Sequence, residues 1–266
     1  MNLLKIILGL WLLILPILTH AKKPLTIGMF PYVAPAKLIT HQKGLIKHLE
    51  KGLTRPINMV TAKNFKIFIQ NAKKGQYDLL YSAPHLAYFL EKNLGYKRIA
   101  MTQHHIQGVF IVQKKSPYKK LTDLKGSKIA ITSPLAILHQ IAIAQLTKSG
   151  LTKGKDYSLN ITKSHDNSIF SLFNGESDAA VTGIKIWKRL DSSYKNGLRL
   201  LVPSDKIPGF IIMAKPDLST NIINKLRLQA LSFNQTMAGK KYLFTGITRI
   251  DDKTMQSLAK YSTIIK

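Results

Sequence analysis

The feature that most constrains this chain is a regular alternation of short apolar runs with helix-period segments, interrupted by two polar, proline-containing connectors. Leu25 to Met29, Ile57 to Thr61, Asp78 to Tyr81 and Arg98 to Thr102 read as strands. Helical segments lie between them over about residues 35–51, 64–74 and 85–92. Pro35 stands in a first turn, where proline is tolerated, and Asn64 is placed to cap the helix it precedes. Val109 to Val112 is a buried-type strand that runs into the connector Gln113-Lys114-Lys115-Ser116-Pro117. A second series follows, with strands at 128–132, 159–162, 179–182 and 198–202 and helices at 135–148, 164–173 and 184–190. The second connector, 203–209, leads to the strand Phe210 to Ala214 and a long amphipathic segment from Thr220 to Met237. Alternation at this spacing implies crossover helices and a largely parallel sheet. Two passages between two α/β blocks make a hinge. A ligand cleft belongs between the blocks, where loops leave the carboxyl ends of strands.

The first 21 residues have the order of an export signal. Lys5 supplies a positive charge, Ile6 to Leu18 is apolar apart from Gly9 and Pro16, and Thr19-His20-Ala21 ends on a small residue. The alternative, a permanent anchor, needs roughly 20 apolar residues, more than this core offers. Removing this segment leaves 245 of the 266 residues, enough for two lobes of roughly 100 residues each. The chain contains no cysteine, which excludes disulfides and a thioether lipid at the processing site. The expected division is 1–21 signal, 22–114 with 207–266 as the first lobe, and 115–206 as the second. A periplasmic location follows from the signal.

Forty Lys and Arg stand against thirteen Asp and Glu, a formal charge of +27 that becomes +26 without Lys5. Such a chain is drawn to anionic surfaces, including phospholipid head groups. The lysines are scattered in ones and twos rather than in long blocks with stacking aromatics, so nucleic acid is not the expected partner. Three function classes are open at this point: a transport binding protein, a ligand sensor presenting to a kinase, and an enzyme or anionic-surface binder. No activated nucleophile, paired carboxylates or Gly-x-Ser-x-Gly run supports an enzyme. His104-His105 lacks cysteine or carboxylate neighbours, and adjacent strand residues point to opposite faces, so no metal site is expected.

Several short segments occur in a telling order. They are Asp78-Leu79-Leu80-Tyr81-Ser82-Ala83-Pro84, then Ser116-Pro117-Tyr118-Lys119-Lys120-Leu121-Thr122-Asp123-Leu124-Lys125-Gly126, then Thr132-Ser133-Pro134. Ser164-His165-Asp166, Asn174-Gly175-Glu176-Ser177-Asp178-Ala179 and Ile207-Pro208-Gly209 complete the series. Together they resemble the PhnD-like phosphate, phosphite and phosphonate solute-binding proteins of ABC importers, over essentially the whole chain after the signal. The resemblance implies an α/β, two-lobed periplasmic-binding-protein type 2 clamshell, each lobe a mixed sheet flanked by helices. It also implies a small-molecule ligand, a permease at the inner membrane, no catalysis, no cofactor and a monomer.

Ser82, Thr132, Ser133, Ser164 and Thr182 lie at strand-to-helix junctions, where backbone N–H groups and hydroxyls suit an anion, although each also reads as an ordinary helix cap. By the resemblance, His165 reaches the anion; capping or packing is its alternative. Tyr32 in the first loop, and Phe65 at a position where the family carries tyrosine, are expected to wall the cleft. The family's hydroxyl-rich anion loop is replaced here by Leu135-Ala136-Ile137-Leu138. Where aminoalkylphosphonate binders carry acids, this chain has Lys185 and Phe210. The implied ligand is therefore a small anion without an ammonium group, with Leu135 to Leu138 either contacting an apolar part of it or forming a buried helix start.

Overall fold

The computed structural model describes residues 22–263, so the signal-like segment lies outside the described residues. Eleven strands among these residues form two sheets. The first contains β1 (Leu25–Met29), β2 (Ile57–Thr61), β3 (Leu79–Ser82), β4 (Lys97–Thr102), β10 (Ile211–Ala214) and β11 (Ile247–Thr248), in the order β11-β4-β10-β3-β1-β2. The second contains β5 (Gly108–Gln113), β6 (Lys128–Ile131), β7 (Ser158–Ile161), β8 (Ala179–Gly183) and β9 (Leu198–Pro203), in the order β7-β6-β8-β5-β9. The helices are α1 (Pro35–Leu53), α2 (Phe65–Lys73), α3 (Pro84–Leu94), α4 (Ile137–Lys148), α5 (His165–Phe173), α6 (Ile184–Arg189), α7 (Ser192–Lys195), α8 (Thr220–Ser232), α9 (Met237–Lys240) and α10 (Asp252–Gln256).

Local chemistry sets most boundaries. Pro35 opens α1, and Thr54 closes it in the left-handed region at φ 48°. Asn64 caps α2 by accepting from Ile67 N, and Gly95 ends α3 at φ 70°, where glycine carries no Cβ penalty. The long amphipathic segment from Thr220 breaks at Ser232. A 3-10 turn (Phe233–Gln235) follows, and the Thr236 hydroxyl accepts from Gly239 N to start α9.

The sheets are mixed, not largely parallel. β1 runs parallel to β2 and β3, and β6 parallel to β7 and β8. β10 is antiparallel to both β3 and β4, and β5 is antiparallel to both β8 and β9. The reason is the crossing itself. The chain leaves the first sheet at the carboxyl end of β4, beside the cleft, and so enters the second sheet from its cleft edge. A strand arriving from that edge must run against the parallel strands. The return through β10 repeats the reversal. The crossing also lies earlier than the connector at 113–117 suggested. β5 belongs to the second sheet, so the chain passes between sheets over 103–107 and the expected boundary at residue 114 is displaced. An apolar run buried on both faces explains β5: Phe110 and Val112 join one core of the second lobe, Val109 and Ile111 the other.

The two passages are tied together. Ile106 N donates to Ile207 O and Ile207 N to Ile106 O, each at 3.0 Å. Ser204 N donates to Gly108 O at 2.8 Å, and Gly108 N to the Ser204 hydroxyl at 2.8 Å. The lobes also meet directly. Ile137, Leu138 and Ile141 of α4 are buried in the core cluster of the first lobe. His85 Nε2 lies 3.1 Å from Leu135 O across the cleft, the neutral ring donating to the carbonyl. The C-terminal 3-10 turn Ala259–Tyr261 packs on both α3 and α4.

Two outcomes are expected from this packing. Burial pulls His85 down to about 4, against 6.5 for a free imidazole. A depressed histidine contributes its stability above pH 6.5 and loses it as the pH falls toward 4, on the order of 3 kcal/mol for so buried a ring. Thermal melts should therefore fall steeply between pH 6.5 and 4, and His85→Gln, which keeps a donor but cannot titrate, should flatten part of that slope. Gly209 sits where an added Cβ would lie 2.6 Å from His104 O and 2.7 Å from Thr102 O. Gly209→Ala should cost about 2–3 kcal/mol in urea unfolding, because besides the Thr102 hydroxyl the added Cβ meets two backbone carbonyls that cannot turn aside.

Candidate functional site

The loops that leave the carboxyl ends of the parallel strands face one another across the crossings. The first lobe contributes Phe30 to Tyr32 after β1, Asn64 and Phe65 after β2, and Ser82 to Pro84 from the last residue of β3 onward. The second contributes Thr132 to Ala136 after β6, Thr162 to Ser164 after β7, and Gly183 as the last residue of β8.

The five hydroxyls expected at these junctions divide into two groups. Ser82 is fully buried and donates to Ala83 O at 3.2 Å. Ser164 caps α5: its oxygen accepts from Asn167 N at 3.1 Å and its proton goes to Asn167 Oδ1 at 2.6 Å. Ser133 accepts from Leu135 N at 3.2 Å, which leaves its proton free to be offered. Thr132 and Thr182 differ. Each hydroxyl is buried without a hydrogen-bond partner, the residues being 6% and 0% exposed. Ala130 pairs with Ala180 on adjacent strands; Thr132 follows the end of β6, and Thr182 lies near the end of β8. Their side chains share the face of Ala130 and Ala180, which α5 covers.

α5 begins with His165, whose Nδ1 is also buried and unpartnered. Burial pulls this ring down to about 4, partly offset by Asp166, so it is neutral at physiological pH. A buried hydroxyl or ring nitrogen left unpaired costs roughly 1–3 kcal/mol, so these three atoms at strand and helix ends are available to bond a bound group or water.

Aromatic side chains line the first-lobe wall. Phe65 stacks on Phe30 with ring centres 4.5 Å apart. Tyr32 lies 4.5 Å from Phe210, and its hydroxyl 3.3 Å from His41 Nδ1. Burial pushes the Tyr32 phenol up to about 12, so it stays protonated. Tyr81 and Phe244 extend this cluster, Tyr81 lying 5.0 Å from Phe210 and Phe244 4.5 Å from His104. Lys185 of the second lobe sets its ammonium 5.6 Å from the Phe244 ring centre. Desolvation, then nearby Arg189, lowers the Lys185 pKa, and burial with Lys185 nearby pulls His104 down to about 3. His104 turns into this cluster while His105 is exposed. Trp187 packs in the second-lobe core.

Leu135 to Leu138 form the buried start of α4 rather than an anion loop. Ala136, Ile137 and Leu138 are buried and Leu135 packs on the first-lobe core. Ala136 provides no side-chain cap. Beside this segment a hollow of about 340 Å³ opens between the lobes, with Ser133, Leu135 and Phe65 on its walls. Lys63, Lys66 and Lys163 at its rim went unnoticed in the sequence. The signal was there: a lysine directly precedes the helix cap in both Lys63-Asn64 and Lys163-Ser164. A larger hollow of about 1010 Å³ lies at the other end of β4 from the cleft. Its Arg98 is already paired with Glu91 at 3.1 Å and Asp252 at 2.6 Å.

Among solved structures, XAC2383 from Xanthomonas citri, bound to chloride ion or to ATP, is similar with a TM-score of 0.78 and 16% identity; the match covers 90% of this chain. It covers 97% of the chloride-bound chain and 96% of the ATP-bound chain. PhnD1 from Prochlorococcus marinus, in complex with methylphosphonate, matches with a TM-score of 0.77 and 17% identity over 91% of this chain and 97% of its own. A binding protein component of an ABC phosphonate transporter from Pseudomonas aeruginosa matches with a TM-score of 0.73 and 16% identity, over 90% and 85%. At these identities the likeness shows the fold: a type 2 periplasmic-binding-protein architecture. The family described as "ABC transporter, phosphonate, periplasmic substrate-binding protein" matches residues 27–255. The chain therefore belongs to the periplasmic substrate-binding protein family of phosphonate ABC transporters.

Proposed function

We propose that this chain captures a small phosphonate- or phosphate-like anion without an ammonium group between its lobes and presents it to an ABC permease, carrying out no chemistry on it. Residues 1–21, with their charge, apolar core and small final residue, serve as the export signal. The two lobes are the units built on the two sheets, joined at 103–107 and 204–210.

The observation that carries the ligand reading is the pair of unpartnered buried hydroxyls of Thr132 and Thr182, at the carboxyl ends of the neighbouring strands β6 and β8. An oxyanion accepts from both, and Ser133 offers a third proton. Neutral His165 donates from Nδ1 in the tautomer that carries its proton there. Tyr32 and Phe65 form apolar walls, while Ser82 and Ser164 hold loop shape. Lys185 supports exclusion of ammonium-bearing ligands, because it puts a cation against the aromatic wall. A ligand touching both lobes has higher affinity for the closed than for the open arrangement, and that difference is what a permease can read.

Two measurements test this reading. Thr132→Val with Thr182→Val should leave the free protein as stable or slightly more stable, since each removes an unpaired polar group without changing shape. The same pair should reduce methylphosphonate or phosphate affinity at least tenfold by calorimetry. Loss of stability together with unchanged affinity places the anion elsewhere. Wild type should prefer ethylphosphonate to 2-aminoethylphosphonate, and Lys185→Glu should shift that ratio toward the amine; an unchanged ratio removes Lys185 from the site.

A further inference from the structure

We propose that the preferred ligand carries a second anionic group, held at the cleft mouth by Lys63 and Lys66 of one lobe and Lys163 of the other; this rests on the anion site proposed above. The hollow these lysines line also takes in Ser133, whose proton is uncommitted, and lies one residue beyond the unpartnered Thr132 hydroxyl. No carboxylate lines it, and none of the three ammonium groups forms an ion pair among the described residues. Three helix starts border the same hollow: α2 behind Asn64, α4 behind Ser133 and Leu135, and α5 behind Lys163. Each adds partial positive charge on the same side.

The arrangement has a mechanical consequence. Closing the lobes brings Lys163 toward Lys63 and Lys66, so like charges oppose closure until an anion lies between them. A group at the inner hydroxyls alone leaves that repulsion in place. A ligand with anionic groups at both ends removes it, and so discriminates closed from open more strongly than one with a single anionic group. The implied class is the diphosphates and the phosphonates bearing a carboxylate.

The test is calorimetry at low salt with methylphosphonate, phosphonoacetate and pyrophosphate. Wild type is expected to bind pyrophosphate or phosphonoacetate about tenfold more tightly than methylphosphonate. In Lys63→Gln/Lys66→Gln/Lys163→Gln that ratio should fall to within about twofold of unity, because exposed charge pairs each contribute modestly and add. A control, Lys114→Gln/Lys115→Gln/Lys119→Gln, removes the same charge from an exposed stretch away from the hollow and should keep the ratio. Equal affinity for the three ligands in wild type, persistence of the ratio in the cleft variant, or equal loss of it in the control overturns the proposal while the anion site stands. If none of the three ligands binds, the anion site and the second anionic group fall together.

Discussion

Everything in this protein hangs on the paired passages between the two sheets, where Ile106 and Ile207 exchange backbone hydrogen bonds and Ser204 closes the ladder onto Gly108. Because both passages leave from the carboxyl edges of strands, the helix-starting loops of both lobes must converge on one side of that ladder. The antiparallel entry of β5 and β10 is the price of that geometry. It also places Gly209 hard against the Thr102 and His104 carbonyls, so the return strand can reach its place between β3 and β4.

The cleft departs from the pattern its resemblance suggests in one coherent way. A hydroxyl-rich loop at the head of α4 would leave polar groups facing the first lobe. Here that head is Leu135 to Leu138, and its apolar surface is buried in the first-lobe core. Contact between the lobes thus gains hydrophobic stabilisation, at roughly 25 cal/mol per Å² of apolar surface removed from water. Polar chemistry is displaced to either side: inward to Thr132, Thr182 and His165, and outward to the lysine-rimmed hollow. On the opposite wall, Lys185 sets its ammonium over the Phe244 ring.

Much of the fold was legible from local chemistry. Leu25 to Met29 and Ile57 to Thr61 form strands over those same residues, and Asn64 caps its helix, because strand period and capping are decided within a few residues. The sheet to which Val109 to Val112 belongs was not legible. An apolar run buried on both faces fits the centre of either sheet, and only its partners β8 and β9 distinguish them. The candidate site was legible only as a set of positions. Hydroxyls at strand ends mark out the cleft, but whether a hydroxyl is spent on its own helix, as at Ser164, or left over, as at Thr182, depends on neighbours distant in the chain.

The sequence by itself determined the alternating elements, the two-passage topology and the family. Those follow from periodicity, caps and residue identity, which act locally. Tertiary structure alone decided where the passages lie, which strands run backwards, and that Leu135 to Leu138 are core while Lys63, Lys66 and Lys163 meet across a gap. These outcomes depend on which surfaces touch, since burial, desolvation and charge proximity are properties of the assembled lobes.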